Sequence, residues 1–164
     1  MKFSLFIVCL CTFSFIKCTT IAESRKSAQF TQKMDKVYFV IETVQLTPMI
    51  DPAFIQSFES ELNAALEGKK IAVSYAPYSP LMSKTDVQLR TTEIQPTYVM
   101  RLNGSIDFNA FNGSFFDVQI NPQNSDKILW RCSLRRSLGY WNKTESVKNT
   151  VNTLVAQMQK DGIL

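Results

Sequence analysis

The run KVYFVIETVQLTPMIDPAFIQSFESELNAALEGKKIAVSY, Lys36 to Tyr75, decides the fold class. Its first nine residues, Lys36 to Val44, are almost unbroken apolar and β-branched, the pattern of a strand covered on both faces. A helix signal follows. Asp51 stands at the N-cap, Pro52 suits the first helical position, and Gly68 is placed to close the helix in the left-handed conformation. Phe54, Phe58, Leu62, Ala65 and Leu66 then form one apolar stripe. Ile71, Val73 and Tyr75 alternate immediately afterwards, as a strand requires. A strand, a helix and a strand at this spacing predict a right-handed βαβ unit with parallel strands.

Downstream, residues 78–96 are rich in Pro, Ser and Thr and predict a loop, with one helical turn near Val87 to Leu89. Three strands of period two come next. Tyr98, Met100, Leu102, Ile106 and Phe108 turn inward in the first, Phe116, Val118 and Ile120 in the second, and Ile128, Trp130, Cys132 and Leu134 in the third. Their other faces are polar, so they predict an antiparallel meander wet on one side. The turn FNG, Phe111 to Gly113, suits a three-residue hairpin loop, and Asn121 to Asp126 makes a looser second turn. A last helix, from about Glu145 to Lys160, starts at Thr144 and stops at Gly162. Val147, Val151, Leu154, Val155 and Met158 make the stripe that covers the meander. The element order β-α-β-β-β-β-α predicts an α+β fold: a two-layer α/β sandwich with a mixed sheet and its helices on one face.

Upstream, Lys2 and the apolar run Phe3 to Ile16 have the form of a secretory leader, too short to span a bilayer as a helix. Two processing sites compete behind it. Thr20-Ile21-Ala22 offers small residues for ordinary cleavage after Ala22, whereas FIKC ends on Cys18, where a lipid-accepting cysteine would stand. The chain therefore divides into a signal peptide over 1–22 (or 1–17 for a lipoprotein), a polar tether over 23–35, and one domain over 36–164. Both processing readings stay open, and both make the protein exported and periplasmic, with an outer-membrane anchor in the lipidated form.

Composition narrows the chemistry. The 164 residues are 45% hydrophobic and 20% charged, enough chain to bury a core without disulfides. Removing Lys2 and Lys17 leaves 16 basic and 14 acidic side chains, too balanced for a nucleic-acid partner. There is no histidine, which removes Ser-His-Asp and Cys-His nucleophiles and the commonest catalytic zinc ligands. Cys9, Cys11 and Cys18 precede the body, so Cys132 stands alone there, and its inward phase makes it a buried, inert thiol. No cofactor is expected, and the chain reads as a non-enzymatic protein.

The candidate functional residues lie on the wet face. Asp107 and Asp117 oppose each other if FNG sets the register; without further oxygens a solvated Asp-Arg ladder, worth at most about 1 kcal/mol, is the simpler account than a cation site. Arg131, Arg135 and Arg136 form a small basic cluster that suits lipid phosphates or an acidic partner, or else ordinary edge protection. Val99, Phe115, Tyr140 and Trp141 make either an apolar partner patch or a surface under local cover. With Arg101, Arg131 and Arg135 they constitute the expected interaction surface. Sequons occur at Asn103, Asn112 and Asn142; strand position and turn chemistry account for the first two.

The succession KVYFVI, helix, IAV, PTYVMRLNGSI, FFDVQI, KILWRCSLRR and closing helix VKNTVNTLVAQMQKDGIL resembles a group of small bacterial envelope proteins. These are the curli-secretion lipoprotein, the N-terminal domain of the Tol propeller protein, and the auxiliary and lipopolysaccharide-assembly lipoproteins. The resemblance covers about residues 36–162. It departs from the group at Thr97, where an acidic residue is usual, and at Arg131, where a small one is. It implies an envelope assembly or accessory role; the expected partner is an envelope protein or a lipid. Because the nearest look-alikes are lipoproteins it favours lipidation of Cys18, and membrane contact is expected only through that N-terminal anchor if it is lipidated. The alternative function is a carrier holding a lipid or other apolar ligand between sheet and helices.

Overall fold

The computed structural model describes residues 20–31, 33–42, 52–76, 83–106, 114–136 and 144–164. In chain order these form β1 (Thr20–Lys26), β2 (Lys36–Glu42), α1 (Pro52–Glu67), β3 (Ala72–Tyr75) and α2 (Lys84–Ile94). Strands β4 (Tyr98–Ile106), β5 (Ser114–Pro122) and β6 (Trp130–Arg136) follow, and α3 (Thr144–Lys160) ends the series. The six strands make one sheet in the order β1-β6-β5-β4-β2-β3. β2 runs parallel to both β3 and β4, and the other pairs are antiparallel. This is the α+β sandwich with a mixed sheet, with the βαβ unit and the β4-β5-β6 meander where the sequence places them.

Strand alternation sorts the core. Val37 and Phe39 face one way, with Phe58, Leu62 and Leu66 of α1 and Val147, Val151, Leu154 and Met158 of α3. Tyr98, Met100, Leu102, Phe116, Val118, Ile120, Trp130, Cys132 and Leu134 join them on that side, the inner face. α1 and α3 lie side by side over it. Each side chain buried there contributes roughly 1.5–3 kcal/mol of transfer free energy, so this layer dominates stability. Tyr38 and Val40 point the other way, to a smaller cluster with Ala76 and Val99.

Two elements add to the expected plan. Residues 84–94 form a full helix rather than a loop with one turn. It opens on a capping box in which the Ser83 hydroxyl accepts from the Asp86 N–H and the Asp86 carboxylate accepts from the Ser83 N–H. It closes at Gln95, left-handed with φ 49°. Val87 and Ile94 of α2 cover Tyr38, Val40 and Val99, so this helix lies on the outer face, opposite α1 and α3. The second addition is β1. Residues 23–26 of the expected polar tether belong to this edge strand, paired antiparallel with β6 from Thr20↔Arg136 to Lys26↔Trp130. Ala22 packs against the core, and side chains of Ser24 and Lys26 bond to the end of α3, which a free tether would not do.

Three local expectations change. α1 does not close on a left-handed Gly68; Lys70, φ 59°, takes that conformation, and Ile71 N–H donates to Leu66 O across the turn. α3 does close as expected, on Gly162 at φ 64° with Ile163 N–H donating to Met158 O. Ile128 is 42% exposed and Leu129 is buried in its place, because β6 begins only at Trp130 and alternation does not reach back into the turn. Finally, the β4–β5 ladder ends at Ile106↔Ser114, so Asp117 faces Asn103 and not Asp107. The FNG turn, the N-cap Asp51, Asp107 and Phe108 lie outside the described residues.

Candidate functional site: the outer face of the sheet

Among the described residues α2 covers the β2–β4 part of the outer face, and the β1-β6-β5-β4 part carries polar rows. One transverse row runs Glu23, Ser133, Asp117, Asn103; the next runs Arg25, Arg131, Gln119, Arg101. Neighbouring strands lie about 5 Å apart, so each row is a line of side chains in contact range. Asp117 links the rows. It accepts a hydrogen bond from the Ser133 hydroxyl at 2.7 Å and another from the Arg131 guanidinium, its diagonal neighbour. That hydrogen bond, reinforced by the carboxylate charge, pushes the Arg131 pKa above its ordinary value. Arg131 is thus held in one orientation while about half its side chain stays exposed. At the other end of the row Arg101 lies 3.8 Å from the Asp126 carboxylate.

A groove of about 490 Å³ crosses the β1–β6 seam, lined by Glu23, Ser24, Arg25, Arg131 and Ser133. Arg25 and Arg131 are directly opposed across it. Like charges in that position repel unless an anion lies between them. Asp117 takes up part of the Arg131 guanidinium and Glu23 shares the groove, yet Arg25 adds a second cation beside Arg131, a pairing that suits a carboxylate or phosphate group from outside. The described residues contain no group of three or more His, Cys, Asp or Glu side chains able to hold a metal ion.

The expected surface residues separate here. Arg101, Arg131 and Arg135 are on the outer face, with Arg131 and Arg135 exposed. Val99 is 4% exposed beneath α2, so local cover is the correct account of it and it is not part of an open surface. The Phe115 backbone lies opposite Arg135 on one side and Ser105 on the other. Cys18, Tyr140 and Trp141 lie outside the described residues. Cys132 is fully buried, and burial pushes its thiol up to about 12. Glu23 and Arg25 are site residues that sequence reasoning missed, having assigned them to the tether. The only available signal was the inward-outward alternation of Ala22, Glu23, Ser24 and Arg25, too polar to read as a strand.

On the inner side of the same seam lies a polar clasp. Asp161, just past α3, accepts from Ser24 Oγ at 2.6 Å, Trp130 Nε1 at 2.7 Å and Gln157 Nε2 at 3.3 Å. Gln157 Nε2 also donates to Ser24 Oγ at 2.7 Å, and Lys26 Nζ donates to the Asp161 carbonyl at 2.8 Å. Burial raises the Asp161 carboxyl, but the hydrogen bonds and the Lys160 charge outweigh it and hold the group below its usual 3.8. The clasp fixes β1 against β6 and so fixes the Arg25–Arg131 spacing.

No protein-family model and no curated protein matches the chain. Among solved structures the chain is similar in fold to PelC from Paraburkholderia phytofirmans. A point-variant PelC dodecamer superposes with TM-score 0.53 at 16% identity, covering 84% of this chain and 96% of that one. A PelC dodecamer in a second crystal form gives TM-score 0.50 at 15% identity over the same shares.

Proposed function

We propose that the chain is a non-enzymatic, exported envelope protein that acts as an accessory or assembly module, binding an acidic segment of a partner protein on the outer face of the sheet. The observation that carries this is the groove across β1 and β6, where Arg25 opposes Arg131 and Asp117 holds Arg131 in place. The leader Lys2 to Ile16 supports export, and the resemblance to envelope lipoproteins supports Cys18 as the acyl acceptor. No helix among the described residues is long and apolar enough to cross a membrane. The carrier reading needs an apolar cavity between sheet and helices. Phe39, Phe58, Met100, Trp130 and Leu154 fill that space among the described residues, which favours the binding module. Because the PelC structures of like fold are dodecamers, a second copy of the chain is also a fitting partner.

The test is affinity purification of the full chain from detergent-solubilised envelope, alongside an Arg25→Glu, Arg131→Glu double variant. The expected result is a complex that forms with the native chain and is lost with the folded double variant. Recovery of the native chain alone and monomeric overturns the proposal.

A further inference from the structure

We propose that Thr20, Ile21 and Ala22 remain in the mature chain as the first part of β1, so that the leader is removed by a cut before Thr20 and not after Ala22. The inference rests on the export reading above and goes beyond it by choosing between the two processing sites. β1 has seven residues, and these three pair with Arg136, Arg135 and Leu134 of β6. A cut after Ala22 discards them. It leaves a four-residue strand, strips the edge partner from three of the seven residues of β6, and removes Ala22 from beside the core that buries Leu134. Signal peptidase acts on the unfolded chain, so pairing does not block the cut; the point is that the fold uses what the cut would remove. A cut before Cys18, the other boundary the leader offers, keeps all of β1.

The ladder phase supplies a sharper handle. Ser27 N–H donates to Leu129 O, and antiparallel bonding alternates along the pair. Ile21, Glu23 and Arg25 therefore turn their backbone groups to β6, and Ala22, Ser24 and Lys26 turn theirs to the open edge. Proline at Ile21 removes a ladder donor, whereas proline at Ala22 removes only an edge N–H, which edge strands tolerate.

The experiment is mass spectrometry of the mature N-terminus of the full-length chain after expression through an intact export pathway. The inference expects a mature chain, free of the leader, that still contains Thr20-Ile21-Ala22; a free Glu23 N-terminus overturns it. An unprocessed chain retained inside the cell overturns the export reading instead. Thermal melts of Ile21→Pro and Ala22→Pro then still decide the strand. Ile21→Pro is expected to lower Tm by about 5 °C or more and Ala22→Pro by clearly less. Two melts equal to that of the native chain overturn the inference.

Discussion

The two faces of the sheet are made of the same strands yet obey different physics. On the inner face, side chains from β2, β4, β5 and β6 meet two helices and leave water entirely, Trp130 at 0% exposure among them. On the outer face, α2 shields a patch around Tyr38 and Val99, and beyond it the strands hold charges in rows. Inner residues are chosen for volume, and removing one leaves a cavity. Outer residues beyond α2 are mostly polar or charged, and water can take the place of one that is removed. The larger apolar layer therefore lies on one side and the charged rows on the other, although each strand serves both.

Substitutions can break this contrast. Phe58→Ala, inside the α1 stripe, is expected to cost about 3–5 kcal/mol in urea unfolding, the usual loss for a buried aromatic. Asp161→Ala should cost about 1–3 kcal/mol at pH 7, since it leaves the Trp130 N–H without its acceptor. The sign with pH follows from the depressed carboxyl. Its charge-dependent contribution is complete above the unfolded value near 3.8 and is lost as pH falls through the lower folded value. The difference between native chain and variant should accordingly hold from pH 7 down to about pH 4 and narrow below it. Asp117→Ala should cost under about 1 kcal/mol, because its partner Arg131 is half exposed. A loss at Asp117 as large as that at Phe58 would dissolve the distinction between the faces.

How much of this was legible depended on where each element draws its stability. The βαβ unit could be read because its stripe, Phe58-Leu62-Leu66, and its strands carry their own periodicities. β1 could not, because TIAESRK has little apolar content and is held by residues more than a hundred positions away. α2 hid for a similar reason. Its buried contacts come from few residues, Val87 and Ile94 with Thr91, and Leu89 is exposed. Its capping box, Ser83 to Asp86, was the local signal available. The misplaced β4–β5 register is a different kind of error. Moving Asp117 from Asp107 to Asn103 shifts the ladder by an even number of residues and keeps every side chain on its face, so hydrophobic alternation cannot distinguish the two pairings. The candidate site suffered from both effects: its arginines on β6 were visible, but Arg25 became part of it only once the edge strand was in place.

The clasp between Ser24 and Asp161 also orders events in time. Of the described strands β1 is made first, yet its strand partner among them and its polar fasteners lie more than a hundred residues later. β1 cannot pair until β6 has been made, and its side-chain fasteners need the residue just past α3 as well. Closure of this edge of the sheet therefore joins the first described strand to the last described strand and helix. The Arg25–Arg131 pair of the outer face exists only where those distant segments meet.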